Sequence, residues 1–88
     1  MARVKMKDIH KLLDLANQVN TETEHDVYFS MSKIPATSVV SIVIYEGHFE
    51  PRKEPKINHA IFLNDESEYD CEKYVEARDC LKELLERK

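Results

Sequence analysis

From Thr37 to Glu46 the chain reads TSVVSIVIYE, and its apolar residues fall on both faces of a period-2 strand. Val40, Ile42 and Ile44 share one face, and Val39, Ser41, Val43 and Tyr45 share the other. Seven of these ten residues are β-branched or aromatic, and there is no Gly, Pro or mid-strand charge. That combination suits a middle strand rather than an edge, where a charge or a break is usual. The aliphatic face must be covered; the mixed face need not be.

The same reading applied outward predicts the other elements. In residues 7–20, Ile9, Leu12, Leu13, Ala16 and Val19 recur at i, i+3, i+4 spacing, with Lys7, Lys11, Asp14 and Gln18 off the stripe, as in an amphipathic helix. Asn20 and Thr21 begin a polar stop. Residues 26–32 alternate, with Val27, Phe29 and Met31 against Tyr28, Ser30 and Ser32, so they form a half-buried strand. The short KIPA link makes this strand and the middle one an antiparallel hairpin. Residues 47–56 hold the only Gly and two of the three Pro, and read as a loop, long for a hairpin connection. Residues 57–63, INHAIFL, return as a third strand onto the middle one. A second helix opens at Ser67, with Asp70 at capping-box spacing, and runs to about Arg87. Its stripe is Cys71, Tyr74, Ala77, Leu81, Leu84 and Leu85.

The expected fold is thus α+β, in the order α-β-β-β-α, with a three-stranded antiparallel sheet and two helices packed on one face. The covered face should hold Val27, Phe29, Met31, Val40, Ile42, Ile44, Ile61 and Leu63. The open face should present Tyr28, Val39, Val43 and Tyr45, joined by His59 or Phe62 according to the third strand's register.

Length allows one domain spanning 1–88 and one small core. The charged start lacks the apolar segment of a signal peptide, and no run approaches the roughly 20 apolar residues of a membrane span. A cytoplasmic location is expected. Cys71 and Cys80, nine residues apart in one helix, lie on opposite sides at roughly 13 Å separation, too far for a disulfide.

The net charge of −4 is carried by residues 21–50 and 61–88, whereas residues 1–20 and 51–60 are net basic. No broad basic surface results, which disfavours general nucleic-acid binding. One glycine gives no phosphate-cradling loop, and His10, His25, His48 and His59 show no HxH or HxxxH spacing. No catalytic residue, metal ligand or cofactor site is expected, and the chain reads as a non-enzyme.

Two surfaces remain as candidates. The first is the open face, where Tyr28, Val39, Val43 and Tyr45 could meet a protein or a second copy of the chain, could stack bases, or could simply tile a polar face. The second is the acidic start of the last helix, with Asp65, Glu66, Glu68 and Asp70, which is either a solvated helix start or a patch for a basic partner. The basic spot from Arg52 to Lys56 reads as an exposed hairpin tip. Arg78, beside the second stripe, is expected to lay its stem on the core and reach a carboxylate such as Asp14.

The α-β-β-β-α order resembles the double-stranded-RNA-binding domain, which grips RNA with a Pro-His loop and a lysine cluster opening its second helix. Here the corresponding stretches are SKIPATS, with Pro35 and no histidine, and NDESEYD, with acids in place of lysines. Carboxylates there repel phosphate, so that function is not carried over. The chain is also similar over its full length to small uncharacterised proteins of Gram-positive phages and prophages. It shares with them its size, its lysine-and-acid-rich first helix, its VSIVIYEG strand and its IFLNDE entry into the last helix. The compact acidic build further resembles some phage anti-CRISPR proteins, which cover a host nuclease's DNA-binding surface. These resemblances imply an accessory protein acting by protein contact, in the finer form an acidic inhibitor of a host nucleic-acid-handling or defence protein.

Overall fold

A computed structural model describes residues 4–34, 37–63 and 68–87. The elements are α1 (Met6–Glu22), β1 (Asp26–Ile34), β2 (Thr37–Tyr45), β3 (Ile57–Phe62) and α2 (Glu68–Glu86). The sheet is antiparallel throughout with strand order β1-β2-β3, so the expected α-β-β-β-α fold with a central TSVVSIVIY strand is the one observed.

Helix α1 starts where Asp8 can reach back. Its Oδ2 accepts from the Lys5 N–H at 3.0 Å, placing a carboxylate on the unsatisfied helix N-terminus. The helix runs past the expected stop at Asn20, since Thr21 Oγ1 donates to the Asn17 carbonyl at 2.9 Å. It closes at Thr23, whose N–H and hydroxyl both bond the Val19 carbonyl.

Register fixes the faces. Val27 pairs with Ile44 and Phe29 with Ile42; Val40 pairs in turn with Ile61. These side chains point at the helices, and Val27, Val40, Ile42, Ile44, Ile61 and Leu63 are buried there. From the helices come Ile9, Leu12, Ala16 and Val19 of α1 and Cys71, Tyr74, Ala77, Cys80, Leu81 and Leu84 of α2, while Val4 packs in ahead of α1.

Four residues depart from the expected core, Leu85 among them at half-burial. Leu13 is 44% exposed, because the α1 stripe runs through Ile9, Leu12, Ala16 and Val19 and leaves Leu13 beside it. Met31 is 45% exposed although it lies on the helix side, while its partner Val40 is fully buried, so the helical cover misses the β1 edge at the hairpin end. Phe29, one step nearer the helices, is half-buried against the core. Both cysteines are free and buried.

Candidate functional site: the open sheet face

The side of the sheet away from the helices carries three rows that cross all three strands, and beyond them Asp26 pairs with Tyr45 at one end. Tyr28, Val43 and Asn58 form one, Ser30, Ser41 and Ala60 the next, and Ser32, Val39 and Phe62 the third. The middle row is made only of small residues, so it lies as a shallow trough between bulkier neighbours. The expected set of Tyr28, Val39, Val43 and Tyr45 therefore does share this face. Phe62 joins it opposite Val39, whereas His59 turns to the helix side and meets Glu76 at 2.9 Å.

At one end the face becomes aromatic. Tyr28 and Tyr45 sit on diagonal positions of β1 and β2, within reach for large side chains. Their ring centroids are 5.9 Å apart at 89°. Phe49 completes a triangle, 5.9 Å from Tyr28 and 5.2 Å from Tyr45, both edge to face. Tyr28 is 51% and Phe49 46% exposed, so the cluster packs on itself and still faces solvent.

Phe49 belongs to the loop after β2; the sequence allows His48 and Phe49 to prolong that strand beyond a bulge, but the strand ends at Tyr45. Phe49 arrives by a series of tethers. Gly47 takes φ of +84°, a backbone state that favours glycine. Its N–H donates to His25 Nδ1 at 2.7 Å and its carbonyl accepts from the Asp26 N–H at 3.1 Å. The Phe49 N–H then donates to Asp26 Oδ2 at 2.7 Å. Lys53 Nζ donates to the carbonyls of Glu46 and His48 from the other side. The start of the loop, Gly47 to Phe49, is a strap folded back across the end of the sheet, while Arg52, Glu54 and Lys56 beyond it are exposed, as expected of a basic tip. Its one sequence signal is an aromatic two residues past a lone glycine at a strand end.

The basic side chains at this end are engaged in structure. Arg87 reaches from the end of α2 to Glu46 Oε1 at 2.7 Å and Glu83 Oε1 at 3.3 Å. Lys56 lies 3.5 Å from Glu46 and 3.8 Å from Glu83. The hydrogen bond and charge of Arg87, with the charge of Lys56, hold the Glu46 carboxyl below its ordinary value. The bond from Glu46 raises Arg87 in turn.

The acidic candidate fares differently. Asp65 and Glu66 lie outside the described residues, as does the Ser67 half of the expected capping box, and Glu68 is the first residue of α2. Asp70 is not part of a solvated patch: it is 3% exposed, and its Oδ1 accepts from the Phe62 N–H at 3.3 Å. The first turn of α2 packs against the end of β3, and Asp70 serves that junction. Arg78 lays its guanidinium 5.9 Å from the Tyr74 ring centroid and pairs with Asp79 at 3.1 Å, not with Asp14. Arg78 and Asp14 do line one groove between α1 and α2, together with Lys11, Gln18 and Lys82.

Among the described residues no three His, Cys, Asp or Glu side chains gather as a metal site requires, and no helix is long and apolar enough to cross a membrane. No protein-family model, curated protein or solved structure matches the chain.

Proposed function

We propose that this chain is a small non-enzymatic accessory protein that works by protein–protein contact, and that the contact surface is the aromatic end of the open sheet face. One observation carries the reading: Tyr28, Tyr45 and Phe49 form a solvent-facing aromatic cluster continuous with Val43, on a face whose described positions hold no lysine or arginine. Aromatic and aliphatic surface is the composition of protein interface cores, and the one charge among the described positions of this face, Asp26, is half-buried and bonded to the Phe49 N–H. Support for a non-enzymatic role comes from the two carboxylates buried among the described residues, which serve the fold: Asp8 starts α1 and Asp70 bonds the end of β3.

The alternative, a weak single-stranded nucleic-acid binder stacking bases on Tyr28 and Tyr45, needs cations along the backbone path. Of the basic groups at this end of the sheet, Lys53, Lys56 and Arg87 are bonded or ion-paired to carbonyls or carboxylates, which leaves Arg52 of the same loop as the exposed cation beside them. The finer expectation of an acidic inhibitor of a host nucleic-acid-handling protein now leans on three carboxylates, Asp65, Glu66 and Glu68, since Asp70 is buried. A homodimer through the open face is the other form a protein contact can take.

Fluorescence anisotropy with mixed-sequence single-stranded DNA and RNA at low salt separates the readings. The contact reading predicts no binding. Binding that weakens steeply with salt, and that Tyr45→Ala reduces, would move the assignment to the nucleic-acid alternative.

A further inference from the structure

The strap that delivers Phe49 hangs in part on a histidine that must be neutral. The Gly47 N–H can only donate, so the atom facing it at 2.7 Å, His25 Nδ1, must carry a lone pair. A proton on Nδ1 turns that acceptor into a second donor aimed at the first. His25 is itself firmly placed, with its N–H on Thr23 Oγ1 at 3.1 Å and Thr23 fixed to the Val19 carbonyl at the end of α1.

We propose that His25 is a proton-operated latch. While the ring is neutral it holds Gly47, and with it Phe49, against Tyr28 and Tyr45. When the ring is protonated it releases the strap and takes Phe49 out of the aromatic face. The consequence for partner binding rests on the protein-contact reading above; the latch does not.

Glu22 at the end of α1, Glu24 in the connector, His48 from the strap and Arg87 just beyond α2 line the cleft around His25. His48 Nδ1 also lies 3.7 Å from Asp26 Oδ1, whose other oxygen holds the Phe49 N–H. When His25 lets go of Gly47, Asp26 still holds the Phe49 N–H, so Phe49 swings about that tether instead of the whole loop melting. The closed strap binds one proton fewer than the open one at His25, so closure is favoured at higher pH and weakened at lower pH.

The test is nuclear magnetic resonance on the isotope-labelled full chain, stepped from pH 8 to pH 5. It follows the His25 ring protons, the protection factor of the Gly47 amide and the Phe49–Tyr45 ring contacts. The latch predicts that Gly47 protection falls at least about fivefold and that the ring contacts fade with the same midpoint as the His25 ring. The Ile42 amide should stay protected throughout. In His25→Gln, whose side-chain oxygen accepts without titrating, the contacts should persist to pH 5; in His48→Ala the transition should remain. Ring contacts that survive protonation of His25, or a His25 ring still neutral at pH 5, would overturn the proposal. A strap that opens on a chain capturing no partner would instead sink the contact reading and leave the latch standing.

Discussion

Asn20 shows how much a single side chain does in a chain this short. Its amide accepts from the Val27 N–H and donates to the Val27 carbonyl, both at 2.8 Å, so it stands in for one residue of a neighbouring strand along the outer edge of β1. On the opposite edge, Asp70 receives the Phe62 N–H and Lys73 Nζ donates to the Ala60 carbonyl at 3.0 Å. Outward-pointing backbone groups that would otherwise invite another strand are thereby closed. Asn20→Ala should lower stability by about 1–3 kcal/mol, because two groups of a buried residue lose their partners at once. Urea unfolding reads this directly, and an unchanged midpoint would mean that water replaces the amide without loss. Periodicity cannot reveal such a role: Asn20 falls where a helix should stop, and its spatial partner lies seven residues ahead in another element. The cysteines were more legible, since spacing alone excluded their pairing. Burial adds that the Cys80 thiol is pushed above its usual value, with Lys56 only partly opposing. Cys80 should therefore react with a disulfide reagent far more slowly in the native chain than in urea; equal rates would contradict the buried position.

Among the elements, β2 is the one most fully written in the sequence. Its double-sided apolar pattern identified the central strand, and the alternation of its partners set which residues face the helices. The strap after it was not legible, because its shape comes from tethers to His25 and Asp26 that lie 22 and 23 residues away in the chain. The far end of α2 is joined to β2 in the same non-local way, through Arg87, Glu46, Lys56 and Glu83. Glu46 in the folded chain sits below its ordinary value of 4.5, so its contribution to stability is present above that pH and is lost as pH falls through the lowered value. Glu46→Gln should accordingly be less stable than the parent at pH 7, with the difference closing in acid and shrinking in high salt. Unfolding midpoints at pH 7 and pH 3 check this, and a gap that persists at pH 3 would show that the carboxylate charge is not its source.

At the scale of the whole molecule, two helices cover one side of a three-stranded sheet and leave the other to solvent. A single core suffices for folding, so the second face is free to serve another purpose. Half of that face could be read beforehand, since Tyr28, Val39, Val43 and Tyr45 follow from alternation alone. The rest of it needed coordinates: Phe49 arrives on a strap, and Phe62 depends on β3 register. The contact assigned to the aromatic end is tested most directly by comparing two baits in nuclease-treated bacterial lysate, the parent chain and a Tyr45→Ser/Phe49→Ser variant shown by urea unfolding to remain folded. The account predicts a protein retained by the parent and reduced at least about tenfold on the variant, as expected when two aromatic anchors are removed. Equal capture by both baits would contradict it, as would recovery from untreated lysate of nucleic acid alone.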